Sequence, residues 1–144
     1  MKPLGIIFAI GAAVAWGAVY ALDQKILVKL SPLTLLIVSS IVTLVICIPL
    51  SLWLEPQAMK SFLGSGKTVQ VLLLVSTILV IGANYLILSS VQKLGAATAS
   101  ILEISYPFFV VLFVALMFGS QVNASFWVGA LLIFAGAATI IKAA

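Results

Sequence analysis

The stretch Ala96–Phe118, AATASILEISYPFFVVLFVALMF, decides how this chain is read. It carries one charged residue, Glu103, and is otherwise apolar, small or hydroxylic, over a length that crosses about 30 Å of hydrocarbon as a helix. Working outward, four further apolar stretches are cut from the chain by charged and turn-forming residues: Leu4–Ala21, Pro32–Trp53, Val69–Val91 and Ala124–Ile141. Over 144 residues, 65% are hydrophobic and 7% charged. Soluble domains run at roughly 45–50% and about 25%. This composition argues against a cytosolic enzyme, a disordered chain and a nucleic-acid binder. In lipid the backbone satisfies its own hydrogen bonds, and no alternating barrel segments are visible, so the spans are predicted to be helices. The expected fold is an all-α membrane protein, a single domain over residues 1–144 with five transmembrane helices.

The connections are short. Ser31-Pro32 reads as an N-cap followed by proline at the first helical position. Lys93-Leu94-Gly95 joins the third and fourth spans, and Gly119–Asn123 the fourth and fifth. Leu54–Thr68 is longer, and Pro56, Gly64 and Gly66 mark it as irregular. Five spans put the termini on opposite sides. Lys2, Lys60 and Lys67 then face Lys25, Lys29, Lys93 and Lys142, three against four. Lysine balance of this kind specifies no orientation. Either one flank is misplaced or terminally biased, or the chain inserts both ways and pairs with its inverted copy.

Glu103 is the one acid deep inside a span. A charge at that depth costs about 2.5–3.5 kcal/mol on insertion scales, so such residues face an interior and mark a pathway. Ala96, Ala99, Ser100, Tyr106 and Pro107 lie three, four and seven residues from it and make a small, polar stripe. Ile101, Ile104, Phe108 and Val111 point elsewhere. The carboxyl suits a proton or a cationic substrate; the plainer reading is a structural acid bonded to a neighbouring helix. Pro107 removes a backbone hydrogen bond and predicts a kink beside it.

On the first helix, Trp16, Tyr20 and then Asp23 or Gln24 form one stripe, beside a ridge of Ala13, Gly17 and Ala21 that lets another helix approach closely. Trp16 is assigned to a cavity wall, where a ring face attracts a cation. Tyr20 and Asp23 are assigned to the interfacial belt. Ser39, Ser40 and Thr43 on the second helix, and Thr77 and Ser89 on the third, read as interhelical glue; Asn84 and Tyr85 are the better cavity candidates. Gly129 and Gly136, with Ala130 and Ala137 alongside, give the fifth helix a smooth association face.

Other signals are set aside. The lone Cys47 excludes an internal disulfide, and without histidine the usual zinc sites are missing, so neither cofactor nor metal is implied. Gly64-Ser65-Gly66-Lys67-Thr68 imitates the end of a phosphate-binding loop, but Ser61 occupies the position of its first glycine, and the segment lies between membrane helices rather than after a strand.

Trp16-Gly17, Ser31-Pro32-Leu33-Thr34, Tyr106-Pro107 and the glycine-punctuated fifth helix with Trp127-Val128-Gly129 resemble the EamA-like half of the drug/metabolite transporters. Two positions depart from the family's habit: Gly119 is followed by Ser120-Gln121 rather than glutamate, and the chain has no arginine. The resemblance implies five helices forming one half of a ten-helix inverted-repeat fold, completed by an antiparallel homodimer of dual topology. A substrate site is then expected near mid-membrane at the repeat interface.

The expected function is a secondary transporter, not an enzyme. It would move small metabolites or organic cations across a bacterial or archaeal plasma (inner) membrane by alternating access. Its expected partners are a small-molecule substrate, the lipid bilayer and a second copy of itself, with no nucleic acid. Glu103 would take the proton or substrate, with Trp16, Asn84, Tyr85 and Tyr106 lining the cavity. A non-transporting membrane subunit of a heteromeric complex and a flippase for lipid-linked substrates are the alternatives.

Overall fold

The computed structural model describes residues 2–119 and 123–143. The described residues are helical apart from short turns and caps, with no strand among them. They form seven helices in chain order: α1 (Lys2–Ile26), α2 (Pro32–Leu54), α3 (Ala58–Gly64), α4 (Lys67–Leu94), α5 (Ala96–Glu103), α6 (Tyr106–Phe118) and α7 (Ala124–Ala143). Among the described residues, four apolar segments are long enough to cross a membrane: Pro3–Ile26, Pro32–Leu54, Lys67–Leu94 and Ala96–Phe118. A fifth, Ala124–Ile140, is shorter. The Ser120-Gln121 pair lies outside the described residues, as do the side chains of Lys2 and Lys142.

Local chemistry sets the helix ends. Ser31 takes extended backbone (φ −74°, ψ 154°), and its hydroxyl accepts the Thr34 N–H at 3.1 Å, with Pro32 opening α2 as predicted. Gly119 closes α6 at φ +63°, and its N–H reaches the Ala115 carbonyl at 2.9 Å. That left-handed closure is the usual glycine ending of a helix. The longer connection is not wholly irregular: it contains the seven-residue helix α3. No strand precedes the glycine pair of the imitation phosphate loop, whose neighbours are α3 and α4.

The fourth span differs from a single kinked helix. It is two helices, α5 and α6, parted at Ile104-Ser105, ahead of Pro107. Proline has no N–H, so the carbonyl four residues earlier, that of Glu103, loses its helical donor. The chain tightens through the gap: the Ser105 N–H reaches the Leu102 carbonyl at 3.4 Å and the Phe108 N–H reaches the Ser105 carbonyl at 3.1 Å. Both are three-residue bonds of the narrower helical type. Pro107 then lies in the first turn of α6, where a missing N–H costs nothing.

Two compact units make up the chain. One comprises Ile26–Ser89, with α2, α3 and most of α4. Its hydroxyls serve their own helices rather than joining neighbours. Ser40 donates to the Leu36 carbonyl at 2.7 Å, Thr43 to Ser39 at 2.8 Å, Thr77 to Leu73 at 2.8 Å and Ser89 to Tyr85 at 2.7 Å. Cys47 is exposed on α2. The flanks of these helices are apolar and open, as lipid-facing helices require.

The other unit comprises Met1–Lys25 and Ser90–Ala144, with α1, the last turn of α4, α5, α6 and α7. Here α5 packs on α7, with Ala99 fully covered and Ala130 buried. Phe108 of α6 lies edge-on between Trp127 and Phe134 of α7, with ring centroids 5.6 Å away on each side. Such edge-to-face contacts add about 0.5–1.5 kcal/mol each beyond buried area.

Candidate functional site

Helix α1 offers α5 two side chains, one helical turn apart. The Tyr20 hydroxyl donates a hydrogen bond to Oε2 of Glu103, the last residue of α5. Four residues on, Oε1 of Gln24 accepts the N–H of Ala96, the first residue of α5, at 2.6 Å. Both ends of α5 are therefore held by α1.

The Gln24 bond has a local cause. Gly95 precedes α5 at φ +82°, a conformation that glycine tolerates and other residues avoid. Without a side chain it cannot cap the helix it introduces, and the first N–H groups of any helix lack internal partners. Gln24 supplies the missing acceptor from another helix. A Cβ on Gly95 would stand 3.5 Å from that same oxygen, an ordinary contact, so backbone conformation rather than crowding dictates glycine here.

The Tyr20 bond answers a different need. Both partners are half-buried in segments that cross the membrane. A carboxylate there requires a donor, and a bond to an ionised acceptor is roughly twice as strong as one between neutral groups. Ala96 and Ala99, on the small stripe that precedes Glu103, are buried at 9% and 0% exposure and bring α5 close to its neighbours. Past Glu103 the helix breaks, and Tyr106, the first residue of α6, is 60% exposed.

The structure brings Glu103, Tyr20 and Trp16 into one line. Trp16 is 55% exposed, with its ring 6.2 Å from that of Tyr20 and tilted 40° to it. An open cleft of about 420 Å³ lies alongside, lined by Gly17, Tyr20, Ala21, Gln24 and Lys25 of α1 and by Ala96, Ala97 and Ser100 of α5. A second recess, of about 280 Å³, runs from the break to α7 and is apolar, lined by Ile104, Pro107, Phe108, Gly129, Ala130 and Phe134 among others.

Asn84 and Tyr85 belong to the other unit. The Asn84 amide donates to the Val80 carbonyl of its own helix at 3.0 Å, and Tyr85 is 47% exposed. Ala13 is exposed, and a Cβ added at Gly17, Gly129 or Gly136 would meet nothing within 4 Å. Among the described residues no helix uses those glycines for close packing. Nor, among them, is any group of three or more acidic, cysteine or histidine side chains arranged to hold a metal.

The sequence pattern of the EamA-like transporter family matches residues 3–142. The chain belongs to the EamA-like transporter family. No curated protein and no solved structure matches it. As an EamA-like chain with four long apolar helices and a shorter fifth, it is an integral membrane protein, and its family is one of transporters rather than of enzymes.

Within this EamA-like chain, the sequence singles out Glu103, assigns Tyr20 to the interfacial belt and leaves Asp23 and Gln24 as alternatives, whereas the structure bonds Tyr20 to Glu103. Tyr20 looked like a belt residue because its depth resembles that of one. The signal that separates the two readings is the stripe Trp16, Tyr20, Gln24 at four-residue spacing, which is polar further into the helix than a belt needs. Between Asp23 and Gln24, which competed for the end of that stripe, the structure selects Gln24.

Proposed function

We propose that this protein is a secondary transporter of small metabolites or organic cations, and that Glu103 is the group that takes up the substrate or its coupling proton. The observation carrying this reading is the cross-helix bond between Tyr20 and Glu103 beside an open cleft. An acid kept within a membrane span, with a donor from a second helix and an aromatic ring one turn beyond, is arranged to exchange partners. Trp16 and Tyr106 provide ring faces for a cation in the same unit. Pro107 and the break before it leave the Glu103 carbonyl without its helical donor, a second oxygen for a cationic ligand.

The five-helix domain works as half of a ten-helix assembly by alternating access, paired with an inverted copy of the same chain in a bacterial or archaeal inner membrane. Three features support this. The lysines flanking five spans divide three against four and impose no orientation. Gly129 and Gly136 leave open space for a close-packing helix from elsewhere. Glu103 is only half-buried, so a second unit has room to complete its surroundings.

Counterflow of an organic cation in proteoliposomes tests the site: Glu103→Gln is expected to abolish it, and wild-type rates would remove Glu103 from the mechanism. Orientation is tested separately. In a Cys47→Ser background, Ser65→Cys in the turn after α3 should react with a membrane-impermeant maleimide from both faces of the membrane. Labelling from one face alone refutes dual topology.

A further inference from the structure

We propose that Tyr20 is the gate between the α1–α5 cleft and Glu103, so that a cationic substrate entering the cleft reaches the carboxylate by taking the place of the Tyr20 hydroxyl. This rests on Glu103 being the substrate-binding acid and specifies how that acid is reached.

Tyr20 belongs to both places. Its side chain lines the cleft, whereas Glu103 does not, and its hydroxyl ends on the Glu103 carboxylate. The tyrosine therefore stands between the open space and the charge. The contact is also of a kind that can be exchanged: a phenol donating to a carboxylate is replaced in kind by an ammonium N–H donating to the same oxygen.

The neighbourhood permits the swing. Gly17 and Ala21 flank Tyr20 on α1, and nothing lies within 4 Å of where a Gly17 Cβ would be. Trp16, with its ring 6.2 Å away, offers a face against which the cation or the displaced ring can rest.

The second α1–α5 bond makes the first expendable. Gln24 holds the N-terminus of α5 through the Ala96 N–H at 2.6 Å, without involving Glu103. When Tyr20 lets go, α5 stays docked at its other end, so release of the gate frees a carboxylate rather than a helix. Tyr20 is thus a positioning residue acting through Glu103, and Gln24 is the fixed hinge-pin beside it.

Equilibrium binding of benzylammonium to the purified protein in lipid nanodiscs tests this, with Tyr20→Phe and Glu103→Gln compared with wild type. Tyr20→Phe keeps the ring and removes the competing donor, so the Kd is expected to fall by about tenfold, the worth of one charge-assisted bond. A merely supporting tyrosine would give weaker binding when altered. An unchanged or higher Kd in Tyr20→Phe, with Glu103→Gln abolishing binding, overturns the gate and leaves the reading of Glu103 intact. Binding absent from wild type or indifferent to Glu103→Gln overturns that reading, and the gate with it. Ala97→Leu gives an independent check should Tyr20→Phe not fold. Filling the cleft wall without touching the pair is expected to raise the wild-type Kd several-fold, and no change would contradict entry through the cleft.

Discussion

The two compact units differ in how far their polar side chains reach: in one they bond within a helix or, for Gln70, to the Phe62 and Leu63 carbonyls of the adjoining α3, whereas in the other two side chains join helices across 72 and 83 residues of chain. In Ile26–Ser89, Ser40, Thr43, Thr77, Asn84 and Ser89 bond to carbonyls of their own helices. In the unit that contains α1 and α5, Ser100 and Thr139 also serve their own helices, but Tyr20 and Gln24 reach across to another helix. Reach explains the difference. A short hydroxyl or amide finds the carbonyl one turn back and needs no partner in lipid. A phenol carries its oxygen too far from its own backbone to do so. A carboxylate can only accept, and helical N–H groups are already engaged. These groups must be met from elsewhere, and the helices that meet them are thereby joined.

The contrast yields graded expectations. The largest effect belongs to Glu103. Its replacement by Gln removes the charge that both Tyr20 and a cation address, and cation binding should fall by about a hundredfold, as loss of a charged partner inside a protein implies. Titration in nanodiscs measures it. Next is Gln24→Ala, which leaves the Ala96 N–H without an acceptor and should destabilise the protein by about 1–3 kcal/mol in denaturant titration. An undiminished midpoint would mean that α5 does not need its cap from α1. Gly95→Ala should cost about 1–2 kcal/mol in the same measurement, because its φ of +82° is strained for any residue with a Cβ. Thr43→Ala, Thr77→Ala and Ser89→Ala should each change stability by no more than about 0.5 kcal/mol. A larger loss in any of them would show that the self-bonded hydroxyls also hold helices together, and the contrast between the units would collapse.

Much of the architecture was legible in the chain because membrane physics writes it locally. Four of the five expected spans, the Ser31-Pro32 entry to α2 and the glycine exit at Gly119 depend on neighbouring residues alone and lie where the sequence puts them, whereas the fifth apolar helix is shorter than a span. The break in the fourth span was half legible. Pro107 announced a disturbance, but its consequence falls four residues earlier, at Glu103, and the chain resolves it by parting at Ile104-Ser105. Helix α3 was hidden by the prolines and glycines around it.

The site was legible only on one side. Glu103 identifies itself, since an acid in a span always demands a reason. Its partner is 83 residues away, and no periodicity on α1 or α5 can express that pairing. The Gln24 cap is as remote, joining residues 72 apart, and it arises from what Gly95 lacks rather than from what it has.

The measurement that bears most directly on the site is the carboxyl vibration of Glu103 in infrared difference spectra, recorded as benzylammonium is added and assigned by its loss in Glu103→Gln. If the carboxylate passes from Tyr20 to the substrate, its band shifts on binding, and in Tyr20→Phe the band before addition already differs from wild type. A Glu103 band that stays fixed while the cation binds and is transported would contradict the account, leaving the acid a structural tie between α1 and α5.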